Sequence, residues 1–349
     1  MIAFRKTAAA FGAELVTLAA PSALADGEVL IDVAAAGICG SDIHAYEWTA
    51  GYEFMAASLP VTIGHEFSGV VRAVGQGVSS FKQGDRVVCW PTVTCGKCHA
   101  CTTNEPQHCQ SRRIIGLHTN GGFADSVIVP AINCRPVPDG LPLDIAALTE
   151  PLSIAVNAMD VAEIVPGDRV VVLGPGPIGL GVAWVAKERG ANVLLAGLND
   201  ALRLQRARDM GIPHCVDLAG ESLADAVQRI FGQPADRVIE ATGVARSVTD
   251  GLATLRSGGV LVVAGIHSGG ITMDLTRFVR DKKQLRAAHD TTSRALDESI
   301  RLLAANTEVL SRLITHRQPL SNAPEAFELA RSRQAVKVML LPQFNGETV

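Results

Sequence analysis

Hydrophobic positions change their spacing along the chain near residue 154. Before that point, short β-branched runs are separated by Gly, Pro and Asp turns, which is typical of a β-rich unit. The runs predict strands at Val29–Val33, Gly69–Val74, Asp85–Cys89 and Ser126–Val129.

After residue 154 the pattern alternates between short apolar strands and helical periods. Strands are predicted at Val170–Leu173, Asn192–Ala196, Arg237–Glu240 and Val260–Ala264. The helices between them are predicted to end at Arg189 and to span Ala201–Met210 and Val244–Leu255. Such alternation predicts a doubly wound α/β fold with a parallel sheet. The last sixty or so residues predict helices at Ser293–Ala305 and around Ala323–Arg331, then a strand at Val336–Leu341.

Composition narrows the class of partners. The 349 residues carry a net charge of −4, which gives no reason to expect nucleic acid or anionic lipid. Arg5 and Lys6 precede an Ala-rich stretch that resembles a signal peptide, but Glu14 interrupts it and it runs into the predicted strand Glu28–Val33. The longest uncharged run, Val170–Ala186, is too short and too rich in Gly and Pro for a membrane helix. We therefore expect a cytoplasmic protein with no membrane partner.

Four of the eight cysteines follow a C-x2-C-x2-C-x7-C spacing: Cys95, Cys98, Cys101 and Cys109. Four thiolates on a short loop can surround one Zn²⁺ tetrahedrally and leave no open position, so the loop predicts a structural zinc site. The alternative is free thiols or two disulfides, which is weak in a chain without a convincing export signal.

A second set of candidate metal ligands lies elsewhere in the first half of the chain. It comprises Cys39, His65, Glu66 and Glu150. Taken singly, each is more often a core or surface residue. Together they offer one thiolate, one imidazole and two carboxylates, a plausible catalytic zinc set with room for water or substrate.

A glycine motif follows the strand Val170–Leu173 and opens a helix. It reads Gly174-x-Gly176-x-x-Gly179 and includes Pro177 and Ile178. In this context the glycines permit a tight turn, close approach to a pyrophosphate and tight helix–sheet packing. The helix N-terminus supplies amide donors for the phosphates, so the motif predicts a dinucleotide site.

The phosphate state of that dinucleotide is left open between NAD and NADP. An NAD site usually has an acidic residue about 20 positions further on, where this chain has Gly197. On one alternative, Asn199 and Asp200 reach the ribose of NAD. On the other, Gly197 opens space for a 2′-phosphate, with Arg203 or Arg206 as its counterion.

Six features, in order along nearly the whole chain, resemble the zinc-containing medium-chain dehydrogenase/reductase family, which includes alcohol, sorbitol and threonine dehydrogenases. They are Gly37-Ile-Cys39-Gly-Ser-Asp42, Gly64-His65-Glu66-Phe-Ser-Gly69, the four-cysteine loop, Glu150-Pro-Leu152, the glycine motif and His316-Arg-Gln-Pro-Leu320. The resemblance implies a GroES-like β-rich catalytic domain over 1–153, a Rossmann domain over 154–290 and a C-terminal segment, 291–349, that returns to the catalytic domain.

The resemblance also implies a set of metal ligands. Cys39, His65 and Glu66 match the family's catalytic zinc positions. Glu150 matches a position that is Cys in classical alcohol dehydrogenases and Glu in polyol and threonine types, where it binds zinc directly or through water. One catalytic and one structural site imply two Zn²⁺ per chain.

Three further residues near Cys39 match family positions with roles in proton transfer. Ser41 matches the hydroxyl that contacts the zinc-bound alcohol, and His44 matches the outer end of the proton relay. Asp42 matches the carboxylate that orients His65.

These features predict a zinc-dependent NAD(P) oxidoreductase that transfers hydride between the nicotinamide and a secondary alcohol: a polyol, sugar alcohol or threonine-like compound. The alternatives are an NADPH-dependent aldehyde or ketone reductase and, as a different class, a non-catalytic nucleotide-binding relative. By the resemblance we expect a homodimer or homotetramer, with the strand Val260–Ala264 pairing edge to edge between subunits.

Two smaller hypotheses concern pockets. Tyr46, Trp48, Tyr52 and Phe54 cluster in one segment, which either lines the mouth of the substrate cleft or is a surface loop pinned by aromatic side chains. His267 follows the strand Val260–Ala264 and either lines the nicotinamide pocket or is an ordinary loop residue.

Overall fold

The structure is a computed structural model that describes residues 1–103 and 105–342. It divides into two compact units: residues 1–150 together with 292–349, and residues 151–291. The strands are β1 Ile2–Lys6, β2 Glu14–Thr17, β3 Glu28–Gly37, β4 Val61–Thr62, β5 Glu66–Val74, β6 Arg86–Cys89, β7 Thr92–Val93, β8 Arg113–Ile114, β9 Ser126–Pro130, β10 Cys134–Pro136, β11 Arg169–Leu173, β12 Asn192–Gly197, β13 His214–Asp217, β14 Ala235–Glu240, β15 Leu255–Val263, β16 Gln284–Ala287, β17 Ile314–Pro319 and β18 Lys337–Leu341. The helices are α1 Gly40–Glu47, α2 His99–Thr102, α3 Leu143–Ala146, α4 Thr149–Ala162, α5 Pro177–Glu188, α6 Ala201–Asp209, α7 Leu223–Phe231, α8 Ala245–Thr254, α9 Leu275–Arg280, α10 Ser293–Ala305, α11 Thr307–Ser311 and α12 Ala323–Arg331.

The first unit is built on a seven-stranded sheet. Its order is β10-β6-β5-β3-β18-β17, with β9 paired to β3. β3 is long and central because its apolar residues are buried along most of its length. β18, which comes from the end of the chain, pairs antiparallel with β3 through Met339 and Leu340. The C-terminal segment therefore completes the sheet that carries the metal-ligand candidates.

Aromatic side chains fill the core beside this sheet. Phe327 of α12 contacts Phe4 and Tyr46 at ring-centroid distances of 5.0 Å and Phe123 at 5.8 Å. Tyr46 is thus a core residue, and its proposed place at the mouth of a cleft is wrong. Trp48 packs against the same core, with the Lys6 ammonium 5.4 Å from the centre of its ring.

The second unit is the predicted doubly wound α/β domain. Its six strands lie in the order β13-β12-β11-β14-β15-β16, and every paired neighbour is parallel. Val171, Leu194, Val238 and Leu261 are fully buried at its centre, as expected for a parallel sheet covered on both faces. β15 pairs with β14 on one side and β16 on the other. The expectation that Val260–Ala264 pairs with a second subunit is therefore wrong, because both of its edges are occupied.

One helical stretch, Leu143–Ala162, is long and apolar enough to cross a membrane by length and composition alone. Within it, 78% of the most apolar window is buried inside the protein. A buried core helix passes the same test, so the stretch is only weak support for a membrane span.

Candidate active site

Cys39, His65 and Glu66 come together in the first unit. Cys39 follows the end of β3 and is the N-cap residue of α1. His65 immediately precedes β5, and Glu66 is its first residue. β5 pairs with β3. One ligand atom from each of the three lies within 4.8 Å of the others. His65 and Glu66 are buried, and Cys39 is partly exposed. One sulfur, one nitrogen and one oxygen at this separation suit Zn²⁺, which takes all three ligand types.

Two neighbours define the ring orientation of His65. Its Nε2 lies 3.2 Å from Ser41 Oγ, and its Nδ1 lies 3.5 Å from Asp42 Oδ1. Burial alone would lower the pKa of His65, but the charges of Asp42 and Cys39 outweigh it and raise that pKa well above 6.5. The imidazole therefore lies between the Asp42 carboxylate and the Ser41 hydroxyl.

The fully buried Asp42 carboxylate joins the backbone segments that carry the ligands. Its Oδ2 accepts the Cys39 amide at 2.9 Å and its Oδ1 accepts the Gly64 amide at 3.2 Å. His65 Nδ1 makes no hydrogen bond in the described structure. Asp42 therefore fixes the two ligand-bearing turns directly and faces His65 as a nearby charge.

Lys337 is a residue of this site that the sequence analysis missed. Its ammonium donates to both oxygens of Glu66, at 2.7 and 2.5 Å, and to the Ile38 carbonyl at 2.9 Å. Burial alone would lower the pKa of Lys337, but the charges of Glu66, Cys39 and Glu150 raise it. The available signal was a single lysine at the start of a strand that is otherwise apolar and wholly buried.

Glu150 stands outside the tight ligand group, although its charge acts on Lys337. It is buried at the N-terminus of α4. The structure thus brings three of the four predicted ligands together and places the fourth, Glu150, where its charge acts on the Lys337 ammonium.

His44 lies one helical turn beyond Ser41 on α1, so the two side chains share a face. Its Nδ1 is 3.0 Å from Thr49 Oγ1, and its ring stacks on Tyr52 at 5.5 Å. Burial, with the charges of Cys39 and Asp42, raises the pKa of Tyr52. Within the aromatic segment, Tyr52 is therefore close enough to the site for the charges of Cys39 and Asp42 to act on its hydroxyl. Phe54 is exposed and stacks on His118 at 5.0 Å.

The four-cysteine loop forms a second donor cluster. The sulfurs of Cys95, Cys98, Cys101 and Cys109 all lie within 4.8 Å of one another, and none of these cysteines is in a disulfide. The Cys101 sulfur is 3.5 Å from that of Cys98 and 4.0 Å from that of Cys95. A tetrahedron with zinc–sulfur bonds of about 2.3 Å has edges of about 3.8 Å, so the loop fits one Zn²⁺.

The free thiols of this loop differ in acidity. The amides of Lys97 and Cys98 donate to Cys95 and lower its pKa to about 6. Burial and the bonds to neighbouring thiols raise the pKa of Cys101 to about 11.

In the second unit, the glycine motif forms the turn between β11 and α5. Gly174 has φ +102°, a conformation that favours glycine. A Cβ on Gly179 would lie 1.8 Å from the Gly174 carbonyl oxygen, so the helix can approach the strand only without a side chain there. Gly176 caps α5, and a Cβ added there would have one neighbour within 4 Å, Arg203 Nη1 at 3.8 Å. Pro177 and Ile178 begin the helix. The turn fits a pyrophosphate.

Three of the residues proposed to contact the ribose make hydrogen bonds within the protein. Arg203 Nε donates to Asp200 Oδ1 at 2.8 Å, and the Asn199 amide donates to Asp217 Oδ1 at 2.9 Å. A Cβ on Gly197 would lie 3.0 Å from Pro175. A side chain at position 197 would therefore press on Pro175, and the 2′-phosphate alternative stays a prediction.

Two family models together match nearly the whole chain. The model of the alcohol dehydrogenase GroES-like domain matches residues 25–139, and that of the glucose dehydrogenase C-terminus matches residues 143–341. The chain belongs to the zinc-type alcohol dehydrogenase family of medium-chain dehydrogenases.

Two relatives and one solved structure illustrate the range of this family. L-threonine 3-dehydrogenase of Bacillus subtilis is 37% identical, over 98% of this chain and 99% of its own length. Sorbitol dehydrogenase of Halalkalibacterium halodurans is 35% identical, over 90% and 92%. A short chain alcohol dehydrogenase from Escherichia coli CFT073, solved with NADH, has a TM-score of 0.86 and 28% identity, over 98% and 99%. The alcohol dehydrogenase family member described here is accordingly an oxidoreductase that acts on CH–OH groups with a nicotinamide nucleotide.

Proposed function

We propose that the chain oxidises a secondary alcohol of the polyol, sugar-alcohol or threonine-like class at the Cys39–His65–Glu66 cluster. The observation that carries this proposal is the contact of Ser41 Oγ with His65 Nε2, at 3.2 Å, beside a thiol and a carboxylate. The names of the sorbitol and threonine dehydrogenase relatives support the substrate class.

Cys39, His65 and Glu66 would hold the catalytic Zn²⁺, with Glu150 as a nearby second carboxylate. Bound there, Zn²⁺ would supply Lewis-acid polarisation of the substrate oxygen. The cysteine loop would hold a second, structural Zn²⁺.

The remaining chemistry belongs to the chain's own side chains. Ser41 Oγ accepts the proton that the substrate hydroxyl gives up and passes its own hydroxyl proton on towards His44. His44, on the same face of α1, delivers a proton towards water, because an imidazole can both accept and donate one. Asp42 keeps the Cys39 and Gly64 turns in register, and the Gly174–Gly179 turn with the N-terminus of α5 binds the pyrophosphate.

Zinc analysis and nicotinamide reduction test the proposal. The zinc-loaded protein is assayed with NAD and NADP in parallel, across polyols, threonine, hydroxy acids and simple secondary alcohols. We expect about two zinc per chain and turnover on a polyol or threonine-like substrate. Cys39→Ser should keep about one zinc and lose turnover, while Cys215→Ser, at a cysteine outside both clusters, should change neither.

The other outcomes separate the alternatives. Turnover only with NADP would favour carbonyl reduction and give Arg203 and Arg206 the ribose role instead of Asn199 and Asp200. Two bound zinc ions without turnover or nucleotide binding would overturn the proposal.

A cytoplasmic location and a homodimer or homotetramer belong to the same proposal, and light scattering tests the oligomer.

A further inference from the structure

A buried carboxylate stands at the carboxyl end of β14 in the second unit. Glu240 is fully buried, and its Oε1 accepts the amides of Thr242 at 2.6 Å and Gly243 at 2.9 Å. Its Oε2 lies 2.9 Å from His267 Nε2. None of the roles proposed above uses this pair.

The Glu240–His267 contact joins two loops that lie back to back. The loop after β14 contains Gly243, and the loop after β15 contains Gly265 to His267. A Cβ on Gly243 would lie 2.4 Å from the Ile266 carbonyl oxygen, and one on Gly265 would lie 2.4 Å from the Gly243 nitrogen. The two backbones therefore touch, and the hydrogen bond to Glu240 fixes the side chain of His267 against this contact.

The strand order locates the pair in the coenzyme crevice. A doubly wound sheet binds a dinucleotide outside the carboxyl ends of its strands, where the strand order reverses. Here the reversal falls between β11 and β14. A Cβ on Gly174 would lie 2.8 Å from Thr242 Cγ2, so the loop after β14 packs directly on the glycine turn.

The same strand order separates the two halves of the dinucleotide. The glycine turn and the ribose-reading position belong to β11 and β12, which hold the adenosine side. The other mononucleotide half belongs to β14, β15 and β16. Glu240 and His267 stand at the carboxyl ends of two of these strands, on the nicotinamide side.

Hydrogen bonding leaves one nitrogen of His267 available. A carboxylate only accepts hydrogen bonds, so Nε2 carries the proton that it shares with Glu240. Nδ1 has no partner among the described residues, and it is not one of the enclosed unsatisfied atoms of this part of the chain. The side chain is 15% exposed.

We propose that His267, oriented by Glu240, binds the nicotinamide half of the coenzyme through Nδ1. The carboxamide on the nicotinamide ring both donates and accepts hydrogen bonds, so it can pair with Nδ1 whether the imidazole is neutral or charged. This inference rests on the proposed nicotinamide-nucleotide site and adds a side chain to it.

Binding of two ligands to the full-length, zinc-loaded protein tests the inference without turnover. NADH, or NADPH if the wild type prefers it, is titrated by its fluorescence. ADP-ribose, or its 2′-phosphate, lacks the nicotinamide and is titrated by calorimetry. We expect His267→Ala to weaken the dinucleotide about tenfold, the effect of one lost hydrogen bond to a polar group. ADP-ribose should stay within about twofold of wild type.

Conservative variants separate binding from loop structure. His267→Gln keeps an N–H that reaches Glu240 and a second polar atom, and it should recover most of the dinucleotide affinity. Glu240→Gln should weaken the dinucleotide more than ADP-ribose. His214→Ala, at an exposed histidine that starts β13 at the opposite end of the sheet, is the matched control and should change neither ligand.

Two results would overturn the inference. Unchanged dinucleotide binding in His267→Ala would show that the side chain does not contact the coenzyme. Equal losses for the dinucleotide and ADP-ribose would show a structural role only. A wild type that binds neither ligand would refute the coenzyme site itself, which is a separate failure.

Discussion

Replacing Lys337 by methionine tests whether the buried cation compensates the charge of Glu66. The ammonium donates to both Glu66 oxygens, and both side chains are at most 2% exposed. Methionine fills a similar volume but leaves the carboxylate without its cation. Removal of one partner of such a buried pair costs about 3–5 kcal/mol of unfolding free energy.

Urea unfolding of the metal-free protein, prepared with a chelator and followed by circular dichroism, measures this loss of stability. Zn²⁺ bound by Cys39, His65 and Glu66 would supply a replacement positive charge. The destabilisation should therefore be smaller in the zinc-loaded protein, so zinc stabilises the Lys337→Met variant more than it stabilises wild type.

Two further variants sharpen the result. The double variant Glu66→Gln with Lys337→Met removes both charges and should recover much of the loss, because no unpaired charge stays buried. Lys283→Met is the control: Lys283 is also buried, but its Asp281 partner is 30% exposed, and the loss should stay within about 1 kcal/mol. A loss below about 1 kcal/mol for Lys337→Met, or no recovery in the double variant, would refute the reasoning.

Three other predictions follow from the geometry. Gly37→Ala places a Cβ 2.3 Å from Glu66 Oε2, so it should cost about 1–3 kcal/mol of stability and lower the zinc content; an unchanged zinc count would contradict this. In chelated protein at neutral pH, iodoacetamide should label Cys95, with its pKa of about 6, well before Cys101, with its pKa of about 11; peptide mass spectrometry gives the order, and zinc should protect both. Burial would raise the pKa of Asp236, but two arginines hold it far below 3.8, so its stabilisation is complete above that pH and is lost as pH falls through the lowered pKa. Asp236→Asn should therefore be less stable than wild type at pH 7, with the difference narrowing in acid; a constant difference across pH would refute the linkage.

Local sequence determined most of the elements of the second unit. The predicted strands and helices of the second unit agree with β11, α5, β12, α6, β14, α8 and β15 to within a few residues, except that β15 begins at Leu255. Alternation of apolar strands with helical periods is a short-range signal, and a buried parallel sheet has little tolerance for polar residues. The glycine motif could be identified from the sequence for the same reason. Gly174 and Gly179 are required by steric contacts within a single turn.

Spacing alone also determined the four-cysteine cluster, because all four thiols lie on one short loop. The mixed cluster needed the resemblance to a family, since 25 residues separate Cys39 from His65 and only the pairing of β3 with β5 brings them together.

Tertiary structure alone decided the charge partners. Lys337 reaches Glu66 across 271 positions of sequence because β18 joins the same sheet as β3 and β5. Glu240 and His267 meet because two glycine-containing loops touch at the ends of neighbouring strands. A sequence shows that a lysine or glutamate stands in an apolar segment, but it does not show which distant charge offsets the desolvation cost of burying it. That pairing is a property of strand order, which long-range contacts set.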